Sequence, residues 1–189
     1  TDLAGGDTPG RSVGDPVNNI YGYVAMGLFQ SAEEIENAPD QTATFGGAQP
    51  GDIRYADISG PNKVPDGVID TYDRKSLGSS FPKVSYGFQL GANYRNFDLS
   101  FNAQGVGKVS NYLGGQAIQP FPNMGKALKA HFDRWTPENP NAAFPRISLS
   151  AASRNYGPVN SFFVKNASYL RIRNIQAGYS LPAKVLNRI

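Results

Sequence analysis

The sequence has no cysteine among its 189 residues, so a disulfide framework and thiolate metal sites are both excluded. It has one histidine, His131, and therefore a single imidazole that could act as a catalytic base. No run of 18 apolar residues occurs, which excludes a membrane-spanning helix but not a membrane β-strand of about 9–11 residues. Acids are missing from the whole C-terminal quarter. Up to Glu138, fifteen acids face eleven bases, leaving −4; residues 139–189 hold seven bases and no acid, giving +7. Those bases are scattered and form no helical stripe, which argues against nucleic acid as a partner. There is no Gly-X-Ser-X-Gly, phosphate loop or dinucleotide fingerprint, and the adjacent Glu33 and Glu34 point apart on a helix. The chain reads as a non-enzyme, with His131 beside Phe132, Asp133 and Trp135 in a packing or surface role.

What is abundant points to β-structure. Gly 21, Pro 14 and a 12% share of aromatics suit strands and turns better than a helix bundle. From Lys83 to Tyr94 twelve positions alternate without exception. Val84, Tyr86, Phe88, Leu90, Ala92 and Tyr94 fall on one face, and Lys83, Ser85, Gly87, Gln89, Gly91 and Asn93 on the other. After Arg95-Asn96 the alternation resumes through Phe97, Leu99, Phe101 and Ala103, which predicts a hairpin. A third strand is expected from Tyr169 to Leu181. Its two halves are out of phase, Leu170 and Ile172 against Ile175, Ala177, Tyr179 and Leu181, which either a bulge near Asn174 or emergence of the strand from its apolar surroundings would explain. Ser161–Lys165 is a candidate short strand before it. The polar faces carry Ser, Gly, Gln and Asn, as a watery lumen would, and Tyr94 and Tyr179 sit at strand ends, as interfacial girdles do. A soluble sheet wet on one face carries the same alternation.

Long connections separate these strands, with short helices expected at Ala32–Ala38, capped by Ser31 with Glu34 three residues on, and at Gly125–Trp135, stopped by Pro137. One connection has the spacing of a Ca²⁺ loop. Asp66, Gly67, the Val68 carbonyl, Ile69, Asp70 and Asp73 match the second half of an EF-hand, and Asp57 and Ser59 would supply the first two ligands. Pro61–Pro65 interrupts the spacing, and Asp73 stands where the longer Glu is usual. The competing reading is a solvated Asp-Gly turn. Tyr112, Phe121, Trp135 and Tyr156 are loop aromatics that could stack on a sugar or pack the loops together. Thr1 and Ile189 both read as internal positions of something longer.

Several motifs in order carry a resemblance. They are Ile20-Tyr-Gly-Tyr-Val-Ala-Met-Gly-Leu-Phe-Gln-Ser-Ala-Glu-Glu-Ile35, Pro50-Gly-Asp-Ile-Arg-Tyr-Ala-Asp57, Asp66-Gly-Val-Ile-Asp70 with Asp73-Arg74 and Leu77-Gly78. The Phe81–Val106 hairpin, Trp135-Thr-Pro-Glu-Asn-Pro140, Phe144-Pro-Arg146 and the run from Ser168 to Pro182 complete the series. Together they resemble SusC/RagA-type TonB-dependent outer-membrane transporters, typical of Bacteroidetes. The departure is Pro61–Pro65, where that family usually has an unbroken Asp-x-Asn-Gly-Asp-Gly run.

The resemblance implies an all-β fold, here a fragment from the later part of an antiparallel transmembrane β-barrel with long extracellular loops containing short helices. Residues 1–80 would be an extracellular loop region with the Asp-rich turn, 81–106 a barrel hairpin, 107–160 a second extracellular loop, and 161–189 a barrel strand and the start of a periplasmic turn. Such proteins sit among the lipids of the outer membrane and import oligosaccharides or peptides. A SusD-like lipoprotein covers them and the TonB complex energises them through regions absent from this sequence. The alternative is a soluble Ca²⁺-dependent carbohydrate-binding β-domain, or a purely structural surface protein.

Overall fold

The computed structural model describes residues 18–115, 118–122, 125–147 and 152–182. It is mostly strand, in antiparallel sheets, with a few short helices, and it divides into two compact units. One unit contains residues up to Ser80 together with Asn111–Lys165; the other contains Phe81–Ser110 with residues from Asn166 onward. No helix among the described residues is long and apolar enough to cross a membrane.

In the second unit, β5 (Val84–Tyr94), β6 (Phe97–Gly107) and β9 (Tyr169–Tyr179) form a three-stranded antiparallel sheet in that order. The hairpin turns on Arg95-Asn96 with Tyr94 opposite Phe97, and Arg95 takes a left-handed φ of 53°. Of the two explanations for the phase slip, the bulge near Asn174 is present. Asn102 pairs with Asn174 but Ala103 pairs with Ile172, so Arg173 has no partner residue on β6. That one extra residue brings the two halves of β9 into phase. Leu170 and Ile172 then share a face with Ile175, Ala177 and Tyr179, and with the apolar positions of β5 and β6. On the polar face Arg173 donates a hydrogen bond to Gln104 Oε1 at 2.9 Å. The strand stops at Tyr179 rather than Leu181, where Ser180 N donates to Asn96 O at 2.8 Å and Pro182 forbids further pairing.

The first unit is built from short pieces. β1 (Asn19–Tyr23) pairs with β4 (Arg74–Ser79), and β2 (Ala25–Leu28) pairs with β3 (Ile53–Tyr55). α1 (Ala32–Glu36) begins at Ser31, whose Oγ accepts from Glu34 N at 3.2 Å, while Glu34 reaches back to Gln30 N at 2.8 Å. It is shorter than expected because Asn37 closes it ahead of Pro39. α2 (Thr42–Phe45) ends on Gly46 at φ 77°, and its sequence carries no strong helical signal. β7 (Ser110–Tyr112) pairs with β8 (Val164–Asn166), so the strand expected at Ser161–Lys165 starts later, after a 3₁₀ turn over Ser161–Phe163. The helix expected at Gly125–Trp135 is reduced to a 3₁₀ turn at Lys129–Phe132. There the buried His131 ring accepts from Leu128 N at 3.1 Å, closing a tighter turn than an α-helix allows.

The core of this unit is aromatic. Tyr23, Phe45 and Tyr55 meet with ring centroids 4.7–5.6 Å apart, and Tyr156 stacks on Phe163 at 5.2 Å. Such pairs contribute ~0.5–1.5 kcal/mol each beyond their buried area. Ile53 and Ile69, both fully buried, complete it. Tyr23 and Phe45 come from one long segment and Tyr156 and Phe163 from the other, so neither segment owns the core.

The segments approach closely at Gly22. A Cβ there would overlap the Val159 carbonyl oxygen and lie 2.9 Å from Val159 Cγ1, beside the 2.9 Å hydrogen bond from Tyr23 N to Val159 O. Gly22→Ala is expected to destabilise this unit by ~1–3 kcal/mol, read as earlier proteolysis within 111–165 on heating. An unchanged profile would show that the two segments are not held at that spacing.

Candidate functional site

The polar centre of the first unit is Asp52, which is 1% exposed. It ends a tight turn in which Gly51 adopts φ 88°, and a Cβ on Gly51 would strike the Trp135 indole. Asp52 Oδ1 accepts from Arg146 Nε at 2.7 Å and from Asn155 Nδ2 at 2.9 Å. Oδ2 accepts from Gln49 N at 3.0 Å, and Arg154 stands 3.7 Å away. Asn155 Oδ1 in turn accepts from Ile53 N at 2.9 Å. A buried carboxylate is tolerable only when its lone pairs are filled in this way.

Asn160, fully buried, extends the network. Its amide donates to Pro158 O at 2.9 Å and to Tyr55 Oη at 3.4 Å, and its Oδ1 accepts from Phe162 N at 3.1 Å. Burial pushes the Tyr55 and Tyr156 phenols well above the ordinary tyrosine range, and raises Tyr23 and Tyr112 in the same direction. His131 is also enclosed: Nδ1 accepts from Leu128 N, Nε2 donates to Ile118 O at 2.7 Å, and the ring meets Phe144 edge-on at 5.0 Å. Both ring nitrogens are thus occupied by backbone.

In the Ca²⁺-type loop the carboxylates of Asp57, Asp66, Asp70 and Asp73 are engaged by backbone amides. Asp73, fully buried, accepts from Ile58 N at 2.7 Å and Ser59 N at 3.0 Å through Oδ1, and from Asp70 N at 2.9 Å through Oδ2. Asp70 caps the following 3₁₀ turn by accepting from Tyr72 N, Asp57 Oδ2 accepts from Gly67 N at 2.7 Å, and Asp66 accepts from Val68 N at 3.1 Å. These carboxylates serve backbone amides, as acids in Asx-type turns do. Ser59 contributes an amide rather than its hydroxyl. Among the described residues no group of three or more His, Asp or Glu is arranged to hold a metal ion.

Of the four loop aromatics, Tyr156 is core, at 4% exposure, and Tyr112 packs against that core with its hydroxyl donating to Pro158 O at 3.3 Å. Trp135 lies over Gly51 and donates from Nε1 to Gln30 Oε1 at 2.9 Å. Phe121 is the outlier. It is exposed, takes φ 54°, and borders a cleft of about 530 Å³ with Leu128, Lys129, Phe132 and Arg134. Sequence reasoning missed Asp52, Asn155 and Asn160. Asp52 and Arg146 both fall inside family-like motifs, but nothing in either motif says that they meet.

Asp52→Ala leaves Arg146 and Asn155 without their acceptor and is expected to destabilise the unit by ~3–5 kcal/mol, measured as a lower denaturant midpoint; a change below ~1 kcal/mol would contradict the network. Asp73→Asn sets an amide donor against a backbone donor and is expected to lower the thermal midpoint equally in Ca²⁺ and in chelator. Asp66→Asn is expected to change little. A Ca²⁺-dependent rise in the midpoint that Asp66→Asn abolishes would instead make the loop a cation site.

No protein-family model matches the chain. Curated relatives do. The chain is 32% identical over 182 residues, 93% of its length, to TonB-dependent receptor P3 of Formosa agariphila. It is 32% identical over 184 residues, 96% of its length, to TonB-dependent receptor P26, and 27% identical over 212 aligned residues, 93% of its length, to TonB-dependent receptor P39, both of the same organism. The chain spans only 16%, 17% and 20% of these three relatives. Joined to the all-β architecture, these similarities place the chain in the TonB-dependent receptor family, as a segment of such a receptor.

Proposed function

We propose that this segment belongs to a SusC/RagA-type outer-membrane importer of oligosaccharides or peptides, with β5, β6 and β9 as barrel strands and the other unit as loop structure outside the membrane. The observation that carries the reading is the apolar face of the sheet. Phe88, Leu90, Leu99, Ile172 and Ile175 are each more than half exposed, on strands that are wet and polar on the other side. Eleven residues at ~3.3 Å per residue, tilted ~45°, give a band ~25 Å tall, the height of a barrel's lipid face. Tyr94, Phe97 and Tyr179 are neighbours across the three strands at the hairpin end, with Phe97 and Tyr179 at 4.7 Å. They form the kind of aromatic row found where a barrel meets the lipid headgroups.

In this reading a SusD-like lipoprotein covers the loop unit, and the TonB complex acts through parts of the receptor outside this sequence. A soluble carbohydrate-binding domain would leave the same apolar face in water, where patches of this kind drive association. Fractionation and uptake test the proposal together. The receptor is expected in the outer-membrane fraction, with a co-purifying lipoprotein and nutrient uptake that stops when the proton-motive force is collapsed. Recovery as a detergent-free soluble protein would contradict it.

A further inference from the structure

We propose that the cleft bordered by Phe121 binds a small organic anion, its charge carried on an aromatic or aliphatic body. The cleft, about 530 Å³, lies within the first unit. Phe121, Leu128, Phe132 and Ile147 supply its apolar lining, and Lys129 and Arg134 its cations. Three of those apolar side chains are open to water, Phe121 at 37%, Leu128 at 49% and Phe132 at 80% exposure. Large exposed apolar residues gathered around one concavity differ from the single scattered ones that need no explanation. Phe121 also holds φ 54°, a left-handed conformation that is rare for a bulky residue. Strain of this kind collects at ligand sites, and here it sits on the rim of the cleft.

The charges select the ligand class. Among the described residues neither Lys129 nor Arg134 is engaged in an ion pair. Asp133, the acid beside Arg134 in sequence, is not among the lining residues and accepts from Asn139 Nδ2 at 3.0 Å. His131 lines the cleft as a neutral ring, because Nδ1 accepts from Leu128 N while Nε2 donates to Ile118 O. A cation would therefore be repelled, and a hydroxyl-rich molecule would shed its hydration against Leu128 and Ile147. A carboxylate or phosphate on an apolar body meets both demands. The ammonium and the guanidinium take the oxyanion, and the rings and aliphatic groups take the body. The volume falls in the range of small-molecule sites, and apolar walls with a few polar groups are their usual make-up. This chemistry does not depend on what the receptor imports.

The test uses the full receptor in lipid nanodiscs, with empty nanodiscs as the blank, and equilibrium dialysis of probes that share one ring system. These are 1-naphthylacetate, 1-naphthyl phosphate, 1-naphthylacetamide and 1-naphthylmethylammonium. Saturable binding of at least one anion is expected, about tenfold tighter than the amide, the scale of one charge-assisted hydrogen bond. The two anions separate a carboxylate preference from a phosphate preference. Lys129→Met and Arg134→Met should each remove most of the preference for the anion and leave the amide's affinity unchanged. Phe132→Ser, at an exposed position, should weaken anion and amide alike, and keeps the test decisive if Arg134→Met fails to fold. Lys126→Met, at an exposed lysine outside the lining, should change nothing. No saturable binding of either anion, equal binding of anion, amide and ammonium, or anion binding indifferent to Lys129→Met and Phe132→Ser would overturn the proposal.

Discussion

A single buried carboxylate ties the loop unit together. Asp52 sits in the first long segment, and its side-chain partners Arg146, Arg154 and Asn155 all come from the second, more than ninety positions away. A charge this deeply buried is unfavourable unless its partners are in place, so Asp52 acts as a condition on the fold: the segments are ordered together or not at all. The backbone hydrogen bonds from Tyr23 N to Val159 O and from Arg146 N to Gly51 O, and the one from Ala25 N to Ser161 Oγ, have the same long-range character. The aromatic core drawn from both segments then adds the apolar stabilisation that the polar network cannot supply.

The uneven charge of the sequence takes on a meaning in this light. Acids end at Glu138 and the last quarter is wholly basic. Within the described residues the ion pairs that form join an acid of the early part to bases of the late part, at Asp52. At Asp52 the segregation along the sequence becomes a contact between two strips of chain of opposite charge.

How much could be read beforehand follows from the range of each interaction. The sheet was legible because its information is local. Period-two alternation needs only neighbours, and the phase slip in Tyr169–Leu181 is visible in it, although the pairing with β6 was needed to identify it as a bulge at Arg173. Ser31 was legible as a cap for the same reason. The loop unit was not, because Asp52, Asn155 and Asn160 act through partners that no spacing rule links. The Asp-rich turn shows a different ambiguity. Its spacing suggested metal ligands, whereas Asp57, Asp66, Asp70 and Asp73 each accept hydrogen bonds from nearby amides, a use of short acidic side chains that the same residue types serve equally well. The helix expected at Gly125–Trp135 fails for a tertiary reason, since burial of His131 demands a tighter turn than helical propensity would choose.

Native-state hydrogen exchange on the full receptor addresses the joint ordering of the two long segments most directly. The amides of Tyr23 and Ile53 from the first segment and Leu113, Trp135 and Arg146 from the second, all hydrogen-bonded within the loop unit, should open with one common free energy. Asp52→Ala should lower that value for all five together. Protection that persists in Tyr23 and Ile53 while Leu113, Trp135 and Arg146 exchange freely would contradict the account, because the first segment would then be folded without the second.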